Sequence, residues 1–396
     1  MSLPIFGQAP ATPAPYGTPW LRLAFRPFYL GAALLAALIV PLWVAVFLAA
    51  TSWAPTPPAL LWHAHEMLFG FAIAVIVGFL MTAGKTWTGL ATPRGPALGF
   101  LILLWLSARV ASLVAPYAVF AVLDLALLPI VGLIFLRLLI RSKNWRNVPL
   151  ALILLLLSLV NLTFHLSAAG AINLAPMSAL YAGLGLIVMI ECVMAGRVVP
   201  FFTATALSIK IEPVVWLERS ALATTALGLV LWVAGWHSGL AAAALVLASV
   251  LNLSRQLRWH PLATMGRPIV WILHFSYAWL SVGLALLAMA QLGWVTTSYG
   301  VHALAVGATG GLIIGMMTRT SRGHTGRALQ VDALETAAYL LIMLAAVLRV
   351  LLPMLMPAWY PYALIASASA WSAAFLIFLW RYTPWLLAAR GDGKDG

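Results

Sequence analysis

Apolar residues run in stretches of about twenty along the whole chain, separated by short polar connections, and each stretch is long enough to cross a bilayer as a helix. The pattern predicts twelve spans, at 28–50, 61–83, 97–114, 118–140, 148–169, 177–197, 219–236, 239–255, 268–290, 298–317, 333–353 and 360–381. The expected fold class is therefore all-α, a polytopic membrane helix bundle. The connections carry a second pattern. Lysine or arginine precedes span 1 (Arg22, Arg26) and separates spans 2 and 3 (Lys85, Arg94), and 4 and 5 (Arg141, Lys143, Arg146). The same holds between 6 and 7 (Lys210, Arg219), 8 and 9 (Arg255, Arg258, Arg267), and 10 and 11 (Arg319, Arg322, Arg327), and in the tail (Arg390, Lys394). The alternate connections have none, which predicts both termini in the cytoplasm.

Composition agrees. The chain is 64% hydrophobic and 8% charged, with mean hydropathy +1.02, and its eighteen tryptophans and ten tyrosines suit a protein with two interfacial belts. The net charge of +13 comes from basic residues scattered through short loops, which fits the positive-inside rule and argues against nucleic acid as a partner. Cys192 is the single cysteine, so an internal disulfide and multi-cysteine metal clusters are excluded. Residues 1–20, with five prolines and no charge, read as a flexible tail, residues 21–385 as one transmembrane domain and residues 386–396 as a short cytoplasmic tail.

The orientation sets depths. His63, His65 and Glu66 open span 2 at the outer face, His165 closes span 5 there, and His302 opens span 10 there. Arg109 and Asp124 lie at nearly equal distances on either side of Pro116, which predicts an ion pair between spans 3 and 4. His274 and Glu191 fall in the inner halves of spans 9 and 6, and Arg197 is close enough along span 6 to pair with Glu191. Ionisable groups are costly in a bilayer and mark functional sites. His63 and Glu66 share a helix face, whereas His63 and His65 diverge by about 200° on a regular helix. They serve one site if the first turn is irregular, two if it is regular. Ser158, Asn161 and His165 form one polar face, and His274, Tyr277 and Ser281 repeat its spacing, as a support for a metal, a proton path or interhelical bonding. Neutral imidazole ligates iron, copper or zinc. At the cytoplasmic edge, arginines and hydroxyls around His324 suit an anion or a tight basic loop.

A spacing repeats. From His65, glycines follow at Gly70, Gly78 and Gly89; from His302, Gly307, Gly315 and Gly326 follow at the same offsets. Lys85 and Thr88 match Arg322 and Thr325, and Arg26-Pro27 matches Arg267-Pro268. These matches predict a parallel repeat relating helices 1–2 to helices 9–10, with His65 and His302 equivalent.

The segments Phe25–Phe28, Trp62–Gly70, Trp87–Gly89, Arg197–Thr203 and His302–Arg327 resemble the NnrS family in matching order over nearly the whole chain. Thr86 stands where the family often has Asn, and Arg322 where it commonly has an apolar residue. The resemblance implies a multi-pass protein of the bacterial cytoplasmic (inner) membrane, holding haem of the b type and copper, in the nitric oxide response linked to denitrification. It implies nitric oxide as a ligand, names no electron donor, and leaves open whether there is turnover. By fold analogy with haem–copper oxidases, whose helices 2 and 10 carry haem ligands, His65 and His302 are the axial candidates. His63, His165 and His274 are then the copper candidates. A transporter or chaperone for haem or copper is the alternative.

Overall fold

The computed structural model describes residues 17–394. The proline-rich segment up to residue 16 lies outside the described residues, and Pro19–Leu21 forms one 3-10 turn. Among the described residues, twelve helices are long and apolar enough to cross a membrane. They are α1 (Phe25–Phe47), α2 (Ala59–Thr88), α3 (Pro96–Val114), α4 (Tyr117–Arg141), α5 (Trp145–Ala168) and α6 (Pro176–Leu207). The second half contains α7 (Val215–Ala234), α8 (Ser238–Leu257), α9 (Pro268–Gln291), α10 (Thr297–His324), α11 (Ala333–Leu355) and α12 (Pro357–Leu387). Among the described residues there is no strand. This is a multi-pass membrane protein.

Backbone polar groups have no water to bond in hydrocarbon, so each apolar run closes its own hydrogen bonds as a helix. Lipid tails are as apolar as leucine, so helices associate through close packing and interhelical polar contacts. The interior spans show this. Gly78 admits Phe28 and the backbone of Phe25, bringing α2 against α1, and Gly315 admits Leu273 and Ile272, bringing α10 against α9. Both helices turn π-helical directly after a histidine, at Glu66–Ala72 and at Ala303–Gly310. Gly89 and Gly326, at φ +68° and +77°, follow the far ends of the same two helices. Those left-handed positions suit glycine, which has no Cβ to clash.

Chain neighbours pack in sequence, and α12 lies against both α11 and α1. α2, α9 and α10 are the most enclosed spans. α3 and α5 turn leucine-rich faces outward, with Leu103 and Leu159 largely exposed. At the end carrying His324, termed here the basic end, cations are absorbed into the architecture. Arg322 grips Glu335 through two bonds of 2.9 and 2.5 Å, and Tyr382 donates to the same carboxylate. Arg26 donates to the carbonyls of Leu386 and Ala388, and Arg390 to that of His324 at 3.2 Å. Arg327 covers the Trp385 ring.

Candidate functional site

The first turns of α2 are regular α-helix through His65, so His63 and His65 face different sides. The opposite end of the bundle from His324, the histidine end, consequently holds two separate constellations.

The first is built by α2, α3, α4 and α5. The His65 Nε2 and His165 Nε2 atoms each lie 3.2 Å from Asp124 Oδ2. These three ligand atoms are close enough together to hold one metal ion. Asn161, one helical turn before His165, brings Oδ1 to 3.0 Å from His65 Nε2 and donates from Nδ2 to Asp124 Oδ2 at 2.6 Å. Arg109 donates to Asp124 Oδ1 and, at 2.7 Å, to Glu66 Oε1. The Tyr117 hydroxyl sits 3.0 Å from His165 Nδ1, and Phe164 stacks on His65. All six members, His65, Glu66, Arg109, Asp124, Asn161 and His165, are buried. With neutral imidazoles, one guanidinium faces two carboxylates, so the cluster is one positive charge short. Such an imbalance away from water is expensive and calls for a cation or a proton.

The second is a cavity of about 390 Å³ enclosed by α1, α2, α6, α10, α11 and α12. That volume falls in the range of small-molecule sites, about 300–1,000 Å³. Its walls are apolar and aromatic apart from a few groups, chiefly His63, His302, Arg349 and Thr309. His302 Nδ1 donates to the Ser298 carbonyl at 2.7 Å, which fixes the ring and leaves the Nε2 lone pair for the cavity. The His63 ring stacks on Trp43 at 4.1 Å, and its Nδ1 is buried with no hydrogen-bond partner. Arg349 forms no ion pair among the described residues, and its guanidinium lies 5.6 Å from the Tyr360 ring.

The remaining candidates go elsewhere. His65 and His302 do not share a site: His302 lines the cavity and His65 the buried cluster. The position two before His302, matching His63, is Gly300, so α10 offers the cavity one imidazole. His274 bonds Thr203 Oγ1 at 2.8 Å, joining α9 to α6 well away from both constellations, and Tyr277 bonds Asn252 of α8 at 2.5 Å. That polar face serves as interhelical bonding. Arg197 donates to Asn147 Oδ1 at 2.7 Å rather than to Glu191. Sequence reasoning missed Arg349 as a site residue, although an arginine in the outer part of an apolar span was a signal in itself. It missed Tyr117 and Ser298 because an aligning role depends on which ring nitrogen the fold brings near.

A family model described as "NnrS protein" matches residues 19–390. The chain belongs to the NnrS family. This NnrS chain is thus a multi-pass membrane protein of the nitric oxide response family, and its membership points to metal or haem binding. A search of curated proteins found no significant match.

Proposed function

We propose that this NnrS protein binds haem and copper near the outer face of the bacterial cytoplasmic membrane and engages nitric oxide there, with the two metals in separate sites. The observation that carries this reading is the division of four histidines between an apolar cavity and a buried cluster lacking one positive charge.

Each donor set suits its group. In the cavity, the carbonyl-anchored His302 presents a lone pair, His63 offers a second imidazole held by Trp43, and Arg349 supplies a cation for a carboxylate such as a propionate. In the cluster, two imidazoles and a carboxylate converge, Tyr117 orients His165, and Arg109 holds Glu66 and Asp124 in place. Ferrous haem and Cu(I) both have affinity for nitric oxide, which is the chemistry the bound groups supply. The chain's part is to orient these donors and, in the cluster, to exclude water by burial against Phe120 and Phe164.

The test is metal analysis and an optical spectrum of the purified protein, with and without nitric oxide. His302→Ala and His63→Ala should lower haem content and alter the haem spectrum while copper is retained; His65→Ala and His165→Ala should do the converse. Loss of both groups from every variant, or neither group in the parent protein, overturns the assignment.

A further inference from the structure

Glu191 sits midway along α6 and faces a second cavity of about 90 Å³ enclosed by α1, α2, α6, α9 and α10. This cavity has two lining residues in common with the larger histidine-lined one, Ala72 and Thr309. Besides Glu191, its polar lining is Tyr29 from α1 and Thr309 from α10; α2 and α9 contribute only apolar side chains, and no cation lines it. Glu191 Oε2, the Tyr29 hydroxyl and the Thr309 hydroxyl are buried and make no hydrogen bond of good geometry among the described residues. Thr309 is beside the Glu191 carboxyl, and on the basic-end side Tyr29 is beside Thr320. A purely structural carboxyl would be paired; Arg197, the nearest arginine along α6, is engaged by Asn147.

Three unsatisfied polar groups around a void of this size are what a small water cluster requires, at about 30 Å³ and two to four polar partners per water. An ionised carboxylate walled by hydrocarbon with no counter-charge is costly, so the group is held there as the neutral acid. We propose that Glu191 is a proton carrier linking the basic end of the bundle to the histidine-lined cavity. The O–H bond of its carboxyl breaks as the proton passes to the Thr309 hydroxyl, whose own proton moves to a water in the large cavity. A proton entering from the basic end past Thr320 and Tyr29 is taken up by water in the small cavity, and the hydronium so formed protonates the carboxylate and is left as water. No electron moves, and each proton given up is replaced.

The test is infrared spectroscopy of the full-length protein in lipid nanodiscs, prepared without metal so that the outcome is independent of what the histidines hold. The parent protein should show a protonated-carboxyl C=O band that shifts promptly in D₂O and is lost in Glu191→Gln. The double variant Tyr29→Phe, Thr309→Val should keep the band and lose the prompt shift. No band lost in Glu191→Gln, a parent band that does not shift in D₂O, or a prompt shift surviving in the double variant each overturns the proposal. Retention of the band in the double variant also shows that its fold is intact.

Discussion

One residue separates His63 from His65, and that spacing is what divides the histidine end into two candidate sites instead of one. On a regular helix it turns the rings to opposite sides, one to Trp43 and the cavity, the other to Phe164 and Asp124. The charge imbalance in the cluster yields an ordering that simple contact loss does not. Arg109→Met leaves Glu66 and Asp124 buried without a cation, a change that costs about 3–5 kcal/mol when a buried pair is broken. Asp124→Asn leaves Arg109 and Glu66 as a balanced pair and keeps a side chain of the same shape. Thermal unfolding of the metal-free protein in detergent should therefore show Arg109→Met as clearly the less stable variant, although Asp124→Asn removes the carboxylate of the proposed metal site and should abolish metal binding there. Much of this cluster was legible in the sequence: Arg109 and Asp124 flank Pro116, and Asn161 and His165 share a face of α5. Arg349 was legible as a costly ionisable group in an apolar span but not as a lining residue of this cavity, because a cavity is the space left by six packed helices.

At the level of helices, the glycines at equal offsets from His65 and His302 do equal work. Gly78 and Gly315 set the contacts of α2 with α1 and of α10 with α9, and Gly89 and Gly326 take left-handed conformations at the other end. The π-helical segments that begin one residue after each histidine extend the correspondence. It supports reading α1–α2 and α9–α10 as copies of one unit, with the histidines since diverged in what they face. Spacing revealed the glycines, but not the π turns, within which Arg109 and Trp279 approach Gly70 and Gly307 too closely for a side chain there. Gly78→Val and Gly315→Val must each force a pair of helices apart. Overpacking of this kind costs about 1–3 kcal/mol, so both variants should unfold at lower temperature in detergent. Gly239→Val, with nothing near its Cβ, is the control that should not. Equal sensitivity of all three would mean that the helix contacts do not depend on these glycines.

For the molecule as a whole, the alternating loop charges predict that the histidine end faces outward, and the basic end is closed by internal contacts. There Arg26, Arg322, Glu335, Tyr382 and Arg390 tie α1, α10, α11 and α12 to one another and to the C-terminal tail. Asp392 in that tail is gripped by Arg390 through two bonds of 2.7 Å, which holds its carboxyl below the usual carboxylate range. Cations spent on internal partners at this end are poor anion receptors, whereas Arg349 at the other end opens onto the cavity. The sidedness can be read by chemical labelling, because Cys192 is the single cysteine and is buried. Single substitutions then report each face: Ser52→Cys and Ala171→Cys in exposed connections of the histidine end, and Gln330→Cys in an exposed connection of the basic end. In right-side-out vesicles a membrane-impermeant maleimide should label the first two directly, and Gln330→Cys only after permeabilisation, with the parent chain unlabelled. Labelling of Gln330→Cys in intact vesicles, with Ser52→Cys protected, would turn the bundle over. The buried histidine–carboxylate cluster and the large cavity would then draw their ligands from the cytoplasm, and the proposed Glu191 route would run from the outside inward.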